Sequence, residues 1–267
     1  MKVVNTLYRI GAYLFHRLAS WNTGGEGIHS PNLFYLVRMI IYDDNQYYVW
    51  QQIEQRRAAM LHSSEILDVV DYGTGVSGVY KVSDIAKNSL QKRRHAQMLF
   101  RIVTWLKREL DKPLFILELG TSLGITTAYL AAPDKHNRVM TMEGSKSIAD
   151  MARKNWNILG LNNIDLVLGN IDNTLQTVVN DKRQIDILYL DANHQCRSVL
   201  EYFDMLLPLA HDKSVWCIDD IHHSPDMEKA WDIIKHNAKV TTTMDFFDMG
   251  LVFFDPHYLK RNYRLRV

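Results

Sequence analysis

Two short runs carry the densest chemistry in the sequence: Leu190-Asp-Ala-Asn-His194 and Ile218-Asp-Asp220. Three carboxylates brought together repel one another unless they are protonated, hydrogen-bonded or bridged by a cation. If Asp191, Asp219 and Asp220 converge, an all-oxygen set favours Mg²⁺, Mn²⁺ or Ca²⁺ over zinc. His194, three residues after Asp191, offers an imidazole that can take a hydroxyl proton near neutral pH. The alternative for His194 is a helix-start histidine bonded to backbone. His222 and His223 follow directly; either could complete a mixed site or touch substrate, with one expected to face the cleft and the other solvent.

A second constellation lies upstream, in Phe115 to Ala132, FILELGTSLGITTAYLAA. The apolar run Phe115 to Leu119 predicts a strand buried on both faces. Thr121 and Ser122 are expected to cap the helix that follows. The turn between has glycines, Gly120 and Gly124, where the backbone must bend and lie close to a ligand. Its pattern is E-x-G-x-x-x-G rather than the G-x-G-x-x-G of a dinucleotide site. Glu118 at its head would repel phosphate and suits a cationic ligand. Glu143, 25 positions on, can accept bonds from both hydroxyls of a ribose; the alternative is a helix-capping carboxylate before Ser147.

The elements that must position these residues alternate regularly from Leu114. Strands are predicted at Phe115 to Leu119, Arg138 to Met142, Ile164 to Leu168, Ile185 to Leu190 and Ser214 to Ile218, each followed by a helix. Lys239 to Phe247 and Met249 to Asp255 are joined with almost no loop, which only an antiparallel hairpin permits. The fold class is therefore α/β: a doubly wound, mostly parallel seven-stranded sheet whose last strand is reversed. In such sheets the ligand lies beyond the carboxyl ends of the strands. Those ends here are Glu118, Glu143, Asn170, Asp191, and Asp219 with Asp220.

The run from Glu118 to Gly124 resembles the first motif of class I S-adenosylmethionine (SAM) dependent methyltransferases, and the arrangement of elements resembles their core, strand order 3-2-1-4-5-7-6. The resemblance implies SAM as cofactor. Its amino-acid part would lie against Glu118 and Gly120 in the turn that includes Thr121, Ser122 and Gly124. Its ribose would lie on Glu143 beside Gly144, and its adenine beside Asn170 and Ile171, with Asp191 at the same edge. Leu190 to His194 with Ile218 to Asp220 resembles the metal site of catechol-type and of sugar and macrolide O-methyltransferases. In catechol-type enzymes the last position is Asn and the base at the place of His194 is Lys; Asp220 instead follows the sugar and macrolide branch. The implied activity is methyl transfer to a hydroxyl of a small molecule, assisted by a divalent cation, with His194 and Asp191 as catalytic groups. The alternatives are a non-catalytic SAM- or partner-binding domain and a metal-independent methyltransferase on another acceptor.

Residues 1–98 are read as a helical extension or lid and residues 99–267 as the methyltransferase core, with the extension shaping the acceptor pocket. Within the extension, Gly73-Thr-Gly-Val-Ser-Gly78 spells G-x-G-x-x-G, but a helical segment follows where a second strand should be, so it is read as a flexible loop over the site. Leu7, Ile10, Leu14, Leu18 and Trp21 have helical spacing, expected to dock on the protein itself; the apolar run is too short for a signal peptide or a membrane span. With 31 Lys+Arg against 30 Asp+Glu there is no charge imbalance to attract nucleic acid. The basic residues from Lys92 to Arg108 read as the solvated face of an amphipathic helix. Only Cys196 and Cys217 are present, so a reduced, cytoplasmic setting without disulfides is expected. A homodimer is left open.

Overall fold

The computed structural model describes residues 2–20, 24–70 and 77–266 of the 267-residue chain. The chain divides into two compact units, residues 1–42 with 182–267, and residues 43–181. In chain order, the first unit opens with α1 (Lys2–Ala19) and α2 (Pro31–Tyr35), which runs into a π-helical turn at Leu36–Ile41. Ser30 caps α2 by accepting the Leu33 N–H, and Pro31 takes the first position, where a missing N–H costs nothing.

The second unit comprises α3 (Tyr48–Leu61), β1 (Ile66–Val69), β2 (Gly78–Lys81), α4 (Val82–Ser89), α5 (Arg93–Leu110), β3 (Phe115–Leu119), α6 (Ile125–Ala131), β4 (Arg138–Glu143), α7 (Lys146–Leu159), β5 (Ile164–Leu168) and α8 (Ile171–Asp181). Its strands β3, β4 and β5 are parallel, in the order β3-β4-β5. Every residue of β3 is buried, Glu118 among them. Trp50 of α3, Phe100 of α5, Tyr129 of α6 and Trp156 of α7 form one buried cluster, so the helices before β3 share a core with those after it.

The segment expected to be mainly helical contains a hairpin: β1 and β2 pair antiparallel in a two-stranded sheet. Residues 73–76 of the G-x-G-x-x-G run lie outside the described residues; the strands before and after them, β1 and β2, pair antiparallel, whereas the dinucleotide fingerprint stands between a strand and a helix. The sequence hides this hairpin because β1 is only four residues long and half exposed.

The first unit resumes with β6 (Ile187–Leu190), α9 (Cys196–Leu206), β7 (Val215–Asp219), α10 (Pro225–His236), β8 (Thr242–Asp245), β9 (Met249–Phe253) and β10 (Arg261–Arg264). Its strand order is β10-β8-β9-β7-β6. The β6–β7 pair is parallel and β9 runs antiparallel to both β7 and β8. Thus the expected order is present as 3-2-1 in one unit and 4-5-7-6 in the other, with β10 added parallel to β8 as an eighth strand. Arg261 and Asn262 are exposed on this added strand, so it shows none of the apolar alternation that marks a strand in sequence. A Cβ at Gly250 would meet the Trp231 ring at 2.4 Å, so the glycine is what lets α10 lie on β9. Among the described residues no helix is long and apolar enough to cross a membrane.

α1 departs from expectation. The stripe read as a docking face points outward: Leu7 is 67%, Ile10 53%, Leu14 56% and Leu18 85% exposed; Trp21 lies outside the described residues. The helix is held by its polar side. Arg9 pairs with Asp248 at 3.3 Å, Tyr8 donates to Glu228, and buried His16 meets Asp245 at 3.0 Å.

Candidate active site

In the second unit the site grows from the carboxyl ends of β3 and β4. Gly120 (φ +96°), Ser122 (φ +49°) and Gly124 (φ +75°) adopt left-handed backbone, which folds the turn back over the sheet. Gly120 and Thr121 both donate backbone N–H bonds to the Met142 carbonyl at 3.1 Å. At Gly124 a Cβ would stand 2.6 Å from the Trp156 indole nitrogen. That nitrogen donates to the Gly124 carbonyl at 2.8 Å, and Asn155 donates to the Leu123 carbonyl at 2.8 Å. Arg56 of α3 in turn donates to the Asn155 Oδ1 at 2.7 Å. The turn is therefore braced by α7 directly and by α3 through one side chain.

Thr121 and Ser122 do not cap α6; Gly124 occupies the cap position with no side-chain bond. Their hydroxyls are used elsewhere, Thr121 on Thr141 at 2.6 Å and Ser122 against Ser89 at 2.7 Å. The left-handed residues at 122 and 124 lie in a turn closed by the Gly124 N–H on the Thr121 carbonyl at 3.0 Å, ahead of α6.

Glu118 is wholly buried, and its Oε2 accepts from Thr127 at 2.5 Å and Thr141 at 2.6 Å. Because Thr141 spends its proton on Glu118, Thr121 must donate to Thr141. The carboxyl thus anchors a relay, Thr121 to Thr141 to Glu118, that ties the glycine turn to the sheet. Burial pushes this carboxyl up to about 8, against the pull of the two threonine hydroxyls. The direct contact expected between Glu118 and a ligand's amino group is not available to a group with no exposed surface; it acts on the turn.

Glu143 ends β4, half-buried, with both oxygens aimed by backbone: Ser122 N–H donates to Oε2 at 3.0 Å and Ser145 N–H to Oε1 at 2.9 Å. These two bonds fix the carboxylate, but neither reaches an N–H inside α7, whose cap residue is Ser145. Gly144 continues beside it, half-buried. At the end of β5, Gly169 (φ +144°) turns the chain, and Asn170 accepts the Asp172 N–H at 3.1 Å, starting α8 at Ile171. These residues fit SAM: a side-chain-free turn at Gly120 and a fixed carboxylate for two hydroxyls at Glu143.

In the first unit the acids sit beyond β6 and β7. Asp191 follows β6, Asp219 closes β7 and is 8% exposed, and Asp220 turns away at φ +54°. The His194 ring lies between two of them, Nε2 3.6 Å from Asp191 and Nδ1 3.6 Å from Asp220. Tyr189 also donates to Asp191, at 3.4 Å. Among the described residues no group of three His, Cys, Asp or Glu side chains is arranged to hold a metal ion. Asp191 and Asp220, expected to share a cation with Asp219, here both lie against the His194 imidazole instead. The left-handed backbone at Asn193, His194 and Asp220 produces this placement, and residue spacing does not encode it.

Of the histidine pair, His223 stands half-buried with Nδ1 3.5 Å from Asp220 and its ring 6.0 Å from that of His194. Burial holds its imidazole below the ordinary range despite Asp220. His222 is buried instead of solvent-facing. Its Nε2 meets Asp245 at 2.9 Å, while His16 takes the other oxygen, and its ring stacks on Phe247 at 5.4 Å. Burial opposes the Asp245 charge, but the bonds to His16 and His222 outweigh it and hold the carboxyl well below its usual range.

Comparison with known proteins gives this geometry a family setting. Residues 117–221 match the family described as Methyltransferase domain. That stretch of the chain is similar to a methyltransferase domain. The matched stretch starts in β3 and ends just past β7, so it includes Glu118 to Gly124, Glu143, Asn170, Asp191, His194, Asp219 and Asp220. Among solved structures the chain is similar to the O-methyltransferase from Bacillus cereus in complex with SAH, at 19% identity and TM-score 0.57, covering 79% of this chain and 93% of that one. It is also similar to cofactor-bound Rv0187 from MTB (16% identity, TM-score 0.59, 76% and 89% covered). A third is TomG from Streptomyces achromogenes, an O-methyltransferase of tomaymycin synthesis in complex with SAM (14% identity, TM-score 0.57, 83% and 94% covered). These likenesses establish the fold as that of class I methyltransferases. No curated protein matches the sequence.

Proposed function

We propose that this methyltransferase transfers the methyl group of SAM to a hydroxyl of a small molecule, using His194 as the proton acceptor. Bound SAM supplies a methyl group on a sulfonium leaving group; the protein supplies alignment and charge. Gly120 to Gly124 would hold the amino-acid end, Glu143 with Gly144 the ribose, and Asn170 with Ile171 the adenine. The observation that carries the oxygen chemistry is the His194 imidazole, 3.6 Å from both Asp191 and Asp220. A hydroxyl proton captured by that ring leaves a cation flanked by two carboxylates, which offset its charge. Asp191 and Asp220 are then positioning residues for the base.

Among the described residues no group of three His, Cys, Asp or Glu side chains stands ready for the divalent cation that the family resemblance implies, and no step is routed through one. The reading rests on His194 for the proton transfer. The extension before residue 99 belongs to it through Arg56, which fixes the Asn155 that holds the turn. A cytoplasmic setting agrees with Cys196 and Cys217, both buried and unpaired. The test is turnover with SAM and a panel of catechols, sugars and polyketide hydroxyls, with and without chelator. O-methylated product that survives chelation and disappears in His194→Ala supports the reading; product that requires Mg²⁺ and persists in His194→Ala overturns the assignment of the base.

A further inference from the structure

α1 is amphipathic, yet it turns its apolar side to solvent. Leu7, Ile10, Leu14, Phe15 and Leu18 are 53–85% exposed, while buried His16 and part-buried Tyr8 and Arg9 face the protein. A helix anchored by polar bonds with its apolar arc outward has a surface made for something else. The rim of that arc is basic. Arg264 stands over the Phe15 ring at 5.2 Å, Arg266 donates to the Arg17 carbonyl, and Arg17 is itself exposed. No Asp or Glu occurs before Glu26. Arg9 alone among the helix's arginines is neutralised, by Asp248 on the inner side.

We propose that this face of α1 docks the protein on an anionic lipid surface, with Leu14, Phe15 and Leu18 entering the headgroup boundary and Arg17, Arg264 and Arg266 meeting the anionic headgroups. An interfacial helix needs one apolar face and a cationic rim, and both are present. A second copy of the chain suits the face less well. A stable protein interface takes roughly 20–30 residues a side, and five apolar side chains on one helix fall far short. A two-fold contact would also bring a second basic rim to the first.

Co-sedimentation of the full chain with phosphatidylcholine vesicles, with and without phosphatidylglycerol, tests this. Binding to the anionic vesicles is expected to exceed binding to neutral ones, to weaken with salt, and to fall roughly tenfold or more in a Leu14→Glu, Leu18→Glu variant. Both positions are exposed, so an unchanged melting curve shows that the variant folds. No vesicle binding by the wild type overturns the proposal, as does equal binding by the variant. A wild-type dimer in sedimentation velocity that the variant converts to monomer overturns it in favour of a second copy.

Discussion

Replacing Glu118 by Gln isolates the turn's anchor from its charge. The wild-type carboxyl has its midpoint moved from 4.5 to about 8. Across that interval the folded state is the tighter proton binder, so this group's contribution to stability is fully present below pH ~4.5 and is lost as pH rises toward 8. At ~1.4 kcal/mol per pH unit the loss reaches at most about 5 kcal/mol. Glutamine presents a carbonyl to the Thr127 and Thr141 hydroxyls in place of Oε2 and cannot ionise. Urea unfolding of both proteins from pH 5 to 8 is the assay. The Gln variant should gain on the wild type by several kcal/mol over that range, with the gap widening as pH rises. Parallel stability curves would refute the claim that Glu118 is held neutral by burial.

Gly124→Ala forces a side chain into left-handed backbone and against the Trp156 indole; it should cost about 2–4 kcal/mol in urea unfolding and weaken SAM binding with it. Glu143→Ala should lower SAM affinity about tenfold or more by calorimetry, whereas Glu143→Gln, which keeps one acceptor oxygen for the backbone, should lose less. His194→Ala should reduce kcat about 10²–10⁴-fold with SAM affinity unchanged, the mark of a proton acceptor rather than a cofactor contact. Asp245→Asn removes the buried partner of both His16 and His222 and should destabilise the protein by about 3 kcal/mol at neutral pH. Because the wild-type carboxyl is held below its usual range, the stability it confers is present above pH ~4 and fades below it, so the gap should narrow in acid.

The core of this fold was legible because its strands are mostly apolar runs closed by polar residues. Phe115 to Leu119 and Ile164 to Leu168 are predicted and found with the same ends. What escaped was β10, with three polar residues of four, and the short hairpin of β1 and β2. The glycine turn was legible, but its support was not. Thr141 is the one signal that could have revealed it, a lone hydroxyl inside the buried part of β4, where a polar group must find a partner. Glu118 is read as a ligand contact from sequence because strand-end acids usually face the cleft; its full burial depends on Thr127 and Thr141, which lie 9 and 23 positions away. The acids of the first unit were found, but their grouping depends on left-handed residues that place an imidazole where a cation was expected. For α1, periodicity gives the apolar face but not its direction, which is decided by the polar bonds of Tyr8, Arg9 and His16.

The most direct test of the central reading is calorimetric titration of the folded protein with SAM after chelator treatment. One-site binding, retained without metal and weakened by Glu143→Ala, is the result predicted. A well-folded protein that binds neither SAM nor its demethylated product would contradict it and leave a methyltransferase fold serving another ligand.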